Sequence, residues 1–162
     1  MNLDEKFMEE AILEANKGLQ FAEVPIGAVI VHENKIIGRG YNTRETLQKS
    51  TGHAEMMAIE EACKKMGSFR LEDTTLYVTL EPCPMCAGAI MLSRISRVVY
   101  GAPDPKGGCA GTVLNILNEP KFNHQCEVVS GVMQDECANM LTSFFKNLRQ
   151  QKRKVKQKTD EC

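Results

Sequence analysis

The chain has 162 residues, of which 43% are hydrophobic and 25% charged, and its formal net charge is −1. That length suits one domain with a sizeable core, and the composition excludes collagen-like, coiled-coil and disordered classes. The charge is uneven: residues 151–162 hold five Lys/Arg against two acids, a net of +3, which leaves −4 for residues 1–150, so an anionic partner is expected near the C-terminus and not across the whole surface.

Residues 4–19 read as an amphipathic helix, with Phe7, Met8, Ala11, Ile12 and Ala15 at helical spacing and Gly18 near the exit. Pro25 to Val31 is short, apolar and β-branched, Glu33-Asn34 makes a turn, and Lys35 to Tyr41 alternates back, which predicts a β-hairpin. Residues 43–51 are polar and read as loop. From His53 a helical pattern runs through Ala54, Met57, Ala58, Glu61 and Ala62 to Gly67. Thr74 to Leu80 reads as a strand. Pro84 opens a small-residue helix through Leu92, with Pro at a position that tolerates it.

Val98 to Tyr100 is a fourth strand, residues 101–112 are a Gly/Pro-rich loop, and 113–117 fit a short helix. Glu127 to Val129 is the fifth strand. Asp135 to Leu148 is the last helix, with Cys137, Met140, Leu141, Phe144, Phe145 and Leu148 as its inward face. No apolar face continues past Arg149, so the reading is a domain at 1–150 followed by a basic, disordered tail at 151–162. Strands alternating with helices predict one mixed five-stranded sheet with helices on both faces, a three-layer α/β/α fold.

No apolar run approaches the roughly 18 residues of a membrane span. Asp4, Glu5, Glu9 and Glu10 are the opposite of a basic export signal. The expectation is a cytoplasmic protein with no membrane partner.

Seven cysteines, an odd number in a chain this long, argue against a disulfide framework. Cys63, Cys109, Cys126, Cys137 and Cys162 show no ligand spacing and read as core or surface thiols. Cys83 and Cys86 stand three apart in Glu81-Pro82-Cys83-Pro84-Met85-Cys86. Alone, such a pair fits a redox motif, half a structural zinc site, or two core residues. It does not follow a first strand, as a redox pair would, and neither His32 nor His124 supplies structural zinc spacing.

Gly52-His53-Ala54-Glu55 supplies the missing group. His53, Cys83 and Cys86 make three ligands with a fourth position open, which is the arrangement of a catalytic zinc. Residues i and i+3 share a helix face, and helix starts favour thiolates. Glu55 in a first helical turn has a dipole role available to it; beside an open metal site it also suits proton transfer.

His-x-Glu followed by Pro-Cys-x-x-Cys resembles the zinc-dependent nucleobase deaminases of the cytidine/deoxycytidylate deaminase superfamily. The resemblance extends from about Phe7 to Arg149 through Val24-Pro25-Ile26-Gly27-Ala28-Val29, Gly40-Tyr41-Asn42, Gly101 to Gly108, Phe122-Asn123-His124 and Phe144-Phe145. It is nearest to the branch that acts on the wobble adenosine of tRNA.

That resemblance implies one Zn²⁺ per subunit on His53, Cys83 and Cys86, Glu55 as the proton carrier, and conversion of adenosine to inosine with release of ammonia. It implies a cytidine deaminase-like fold, a homodimer, and an anticodon stem-loop as partner, with an arginine tRNA bearing ACG as the indicated substrate. It also implies that Asn42 hydrogen-bonds the base while Val24 and Pro25 line its pocket. Asp104 and Lys106 would stand near the RNA, as would Phe144, Phe145 and Arg149, one aromatic stacking on an unpaired base. Pro103 and Thr112 depart mildly from related sequences. A free-base, guanine-type deaminase is the alternative within the superfamily; the Asn42 context, the loop at 104–108 and the basic C-terminal stretch speak against it. A non-catalytic zinc-stabilised RNA-binding module is the alternative outside it, and Glu55 speaks against that.

Overall fold

Five β-branched, apolar segments pair into one sheet in the computed structural model, which describes residues 1–161. The order is β2 (Lys35–Tyr41), β1 (Gly27–His32), β3 (Thr74–Leu80), β4 (Arg97–Ala102), β5 (Glu127–Ser130). β1 is antiparallel to both β2 and β3, while β3, β4 and β5 run parallel. The parallel steps need crossovers, and the chain supplies them as helices.

Alternation along the strands divides the core into two layers. Ala28 and Ile30 of β1, Leu76 and Val78 of β3, and Val98 and Tyr100 of β4 face α3 (Ala54–Met66) and α4 (Pro84–Ser93). Val29, Val31, Tyr77 and Val99 face α1 (Leu3–Leu19) and the start of α5 (Gln134–Asp160) through Phe7, Met8, Ala11 and Cys137. The three-layer α/β/α expectation is met.

Two glycines bring α3 hard against β2. A Cβ on Gly38 would lie 2.2 Å from the Ala58 carbonyl oxygen, and one on Gly40 would lie 2.1 Å from that of Ala54. Only a strand without side chains there lets the helix that starts at His53 settle on the sheet. The buried face of α3 is Ala54, Glu55, Ala58, Ile59 and Ala62, so Glu61 faces out and Glu55 faces in.

Three local expectations are corrected. The polar segment after β2 contains one helical turn, α2 (Arg44–Leu47), closed by Gln48 in the left-handed region. The segment at 113–117 yields a 3₁₀ turn at Ile116–Asn118. The largest difference is α5, which does not fray at Arg149 but continues to Asp160. Between Val132 and Asp160 there is no Gly or Pro, and Gln, Lys and Arg are good helix formers. Cations in the last turns also suit the helix dipole. Helical structure there persists on propensity after the apolar face has ended. Cys162 lies outside the described residues.

Candidate active site

Two chain segments meet at one end of the sheet. β3 ends at Leu80 and leads through Glu81 and Pro82 into Cys83, which caps α4. Pro84 stands at the first turn of that helix, and the Cys83 sulfur accepts the Cys86 N–H at 3.5 Å. His53 caps α3 in extended conformation, and Glu55 sits in its first turn. The carboxyl ends of parallel strands are where open α/β sheets place their ligand crevices.

The three predicted ligands converge. His53 Nδ1 lies 3.5 Å from Cys83 Sγ and 3.5 Å from Cys86 Sγ, and the three donor atoms all lie within 4.8 Å of one another. A tetrahedral ion with N and S bonds of about 2.0 and 2.3 Å has an N···S edge of about 3.5 Å. Hydrogen bonding to Cys86, and then to His53, holds Cys83 down to about 4 against burial. Donation to Cys83 and burial push Cys86 well up, and the bond to Cys83 raises His53. Zinc binds thiolates and neutral imidazole, so two thiols and one imidazole at this spacing fit the metal in chemistry as well as geometry.

Glu55 is 4% exposed, and burial raises its carboxyl to about 7. It opens with His53 and Cys83 onto a cavity of about 240 Å³, whose other walls include Val24, Ile26, Asn42, Leu80 and Asp104. Phe145 of α5, 42% exposed, stands on the same cavity. The volume is on the scale of one base and not of a drug-sized ligand.

Asn42 is buried at the end of β2. Its Oδ1 accepts the Arg44 N–H at 3.2 Å, and its Nδ2 donates at 3.4 Å to the Val24 carbonyl. A side-chain amide has two N–H donors, so one is left for an occupant of the cavity.

The structure does not bring every predicted residue here. Pro25 is buried behind the wall that Val24 and Ile26 present. Lys106 is exposed on the turn after Asp104, Phe144 lines a groove between α1 and α5, and Arg149 points to solvent one turn beyond Phe145. Cys86 lies beneath the cavity floor, buried.

Two buried carboxylates that brace the walls of this cavity went unread in the sequence. Glu81 accepts the backbone N–H groups of Asp104 (3.1 Å), Ala110 (3.0 Å) and Thr112 (3.1 Å) as well as the Thr112 hydroxyl. Burial favours its neutral form, yet these bonds hold its pKa below the ordinary value. The loop it gathers carries Asp104 to the cavity. Gly108 is required beneath it, since a Cβ there would lie 2.4 Å from the carboxylate. Glu23 does the same for the other wall, accepting the N–H groups of Glu45 (3.1 Å) and Thr46 (2.6 Å). It too is held low despite burial, through its bonds to Thr46 and Glu45. The motif Glu81-Pro-Cys was visible, but nothing in the sequence marked its first residue as the anchor of residues 104–112.

Comparison with known proteins agrees with this arrangement. The sequence profile of the MafB19-like deaminase family matches residues 1–149. The chain is 58% identical over 161 residues to a tRNA-specific adenosine deaminase of Bacillus subtilis strain 168, covering 99% of this chain and 100% of that protein. A solved structure from a study of A-to-I editing by tRNA:A34 deaminases at the wobble position superimposes with a TM-score of 0.80 at 44% identity, covering 84% of this chain and 99% of the other. A guanine deaminase from Nitrosomonas europaea shares the fold, with a TM-score of 0.74 at 21% identity over 86% of this chain and 83% of the other.

Proposed function

The chain belongs to the MafB19-like deaminase family, and on that premise we propose that it hydrolyses adenosine to inosine at the wobble position of a tRNA anticodon. One observation carries the reading: a buried carboxyl, Glu55, opens onto a cavity on the scale of one base beside a convergent His53–Cys83–Cys86 set. The similarity to the Bacillus subtilis enzyme supports the choice of tRNA adenosine as substrate. The guanine deaminase likeness is one of fold alone.

His53, Cys83 and Cys86 would hold one zinc ion per chain, which when bound supplies a Lewis acid that makes water a nucleophile near neutral pH. Glu55 takes a proton from the attacking water and delivers it to purine N1 as oxygen bonds to C6. The carboxylate then takes the proton of the new C6 hydroxyl and passes it to the exocyclic nitrogen; the C6–N bond breaks as the C6 carbonyl forms, and ammonia and inosine result. A carboxyl titrating near 7 can accept and donate protons at neutral pH. Burial around it excludes bulk water that would compete for the proton.

Asn42 holds the base by its remaining amide N–H, and Val24 and Ile26 supply an apolar wall for the ring. Asp104 lines the same cavity and stands near the RNA. Phe145 stacks on a neighbouring unpaired base at the rim, a kind of contact worth about 1–3 kcal/mol. The wobble nucleotide lies in a loop and is already unpaired, which reduces the cost of turning it out. The indicated substrate is an arginine tRNA with an ACG anticodon, met in the cytoplasm.

We also infer a homodimer. Phe69, Leu92 and Phe122 are 68%, 77% and 49% exposed around a groove of about 650 Å³ beside α4. An apolar face of this kind on the helix that carries the ligand cysteines suits a two-fold, self-complementary contact.

The test uses purified, zinc-loaded protein with an ACG anticodon stem-loop and, separately, free adenine, guanine and cytidine. Inosine in the RNA with equimolar ammonia is expected. Ammonia from guanine, with none from RNA, would overturn the reading.

A further inference from the structure

The second half of α5 has no role in the catalytic cavity. Residues 149–160 are exposed throughout, yet they continue a regular helix whose earlier turn places Phe145 on that cavity. At 3.6 residues per turn, Lys146, Arg149, Lys152, Arg153 and Lys156 all fall within about a third of the helix circumference. Phe145 lies inside the same arc. Lys154 and Lys158 lie outside it, and Asp160 closes the far end. The distance along the axis from Phe145 to Lys156 is about 16 Å at 1.5 Å per residue. None of the five cations forms an ion pair among the described residues. Residues 1–150 carry a net −4 even with Lys146 and Arg149 counted among them, so this face is a local reversal of sign.

We propose that this face of α5 is a rigid cationic rail that binds the phosphate backbone of the tRNA stem next to the base held in the cavity. The proposal rests on the tRNA reading above. Two observations fix the occupant as RNA: a stripe of unpaired cations complements phosphate, and the stripe is continuous with the cavity through Phe145. A flexible basic tail would supply the same charge without alignment. A helical one holds successive cations at fixed spacing from the catalytic carboxyl, so phosphate binding also sets how the loop is presented.

The experiment compares the full-length protein with three variants. Lys152→Gln/Arg153→Gln/Lys156→Gln removes three cations from the rail. Lys154→Gln/Lys158→Gln removes two from outside it. Gln151→Pro keeps every charge but breaks the helix within the rail, between Arg149 and Lys152, and so displaces Lys152, Arg153 and Lys156. Kd for an ACG anticodon stem-loop and for the whole tRNA is measured by fluorescence anisotropy against salt, with inosine formation followed in parallel. The rail variant should bind about tenfold or more weakly at 0.1 M salt. Its log–log salt slope should fall by about 0.7–0.9 for each phosphate that is no longer neutralised. The control variant should keep most of the affinity and slope, and Gln151→Pro should resemble the rail variant.

Equal losses in the rail and control variants, or wild-type affinity for Gln151→Pro, would overturn the aligned rail and leave a diffuse basic tail. Wild-type affinity in the rail variant would overturn any RNA role for it. Binding without inosine in the parent protein would overturn the deaminase reading and leave the rail intact, so the two failures are distinguishable.

Discussion

Burial of Glu55 and exposure of Glu61 follow from helix phase on α3: six residues are about 1.7 turns, which puts the two on different faces. Glu55 lies beside the ligand set, so replacing it should separate metal binding from chemistry. Glu55→Ala is expected to hold about one zinc per chain by elemental analysis while inosine formation falls about 10²–10⁴-fold; wild-type turnover would remove Glu55 from the mechanism. The ligand residues should behave differently. His53→Ala, Cys83→Ala and Cys86→Ala should each lose zinc and activity together. Cys63→Ser, Cys109→Ser, Cys126→Ser and Cys137→Ser should keep the metal, since none belongs to the converging set. Loss of zinc in any of those four would mean a closed structural site.

At the scale of elements, α1 is tied to the sheet by Asp4. Its carboxylate takes two bonds from the Arg97 guanidinium on β4, at 2.8 and 2.7 Å, and one from the Tyr77 hydroxyl on β3, at 2.8 Å. The Arg97 bonds hold the Asp4 carboxyl below its ordinary value, outweighing burial. A carboxyl lowered on folding contributes stability that is complete above its unfolded pKa of about 3.9 and is lost as pH falls through the lower folded value. Asp4→Asn should therefore cost about 1–2 kcal/mol at pH 7, a figure reduced by the partial exposure of the pair. In urea melts the gap to the parent protein should close progressively below about pH 4. A gap that stays constant from pH 7 to pH 2 would mean the ion pair is not its source.

What the sequence disclosed at this scale was whatever leaves a periodic or spaced trace. β-branched runs marked the strands, Pro84 and Gly67 marked helix ends, and His53 with Cys83 and Cys86 stood out by residue type and interval. Glu23 and Glu81 left no trace, because their partners are backbone N–H groups of remote loops, which any residue supplies. Asn42, Val24, Asp104 and Phe145 meet on one cavity, whereas Pro25, Lys106, Phe144 and Arg149 do not line it. Adjacency in sequence could not tell Phe144 from Phe145; the phase of α5 could. That helix outran its expected end because periodicity reports burial, and residues 149–160 are helical without being buried.

At the scale of the whole molecule, the groove beside α4 is the surface assigned to the proposed homodimer. α4 presents its N-terminal end to the catalytic cavity through Cys83 and its other face to solvent through Gly88 and Leu92. Phe69, Met91, Ile116 and Phe122 surround Leu92, so the apolar groove draws on the loop before β3, on α4 and on the segment before β5. Arg70 and Arg94 rim it, a polar border around an apolar centre of the kind found at protein–protein contacts. Two copies meeting by two-fold symmetry would set each Leu92 against the same surface of its partner. A charge introduced at the centre would then be buried twice, once from each copy, and uncompensated burial of that kind is strongly unfavourable. The parent protein should sediment as the proposed dimer at micromolar concentration in sedimentation equilibrium, and Phe69→Asp/Leu92→Asp should accordingly sediment as a monomer. Both side chains are largely exposed in the single chain, so the variant should fold and retain about one zinc. A parent protein that sediments as a monomer, or a variant that remains dimeric, would remove this face from the assembly. Loss of RNA deamination in a folded, zinc-bound monomer would show in addition that the second copy completes the RNA-binding surface.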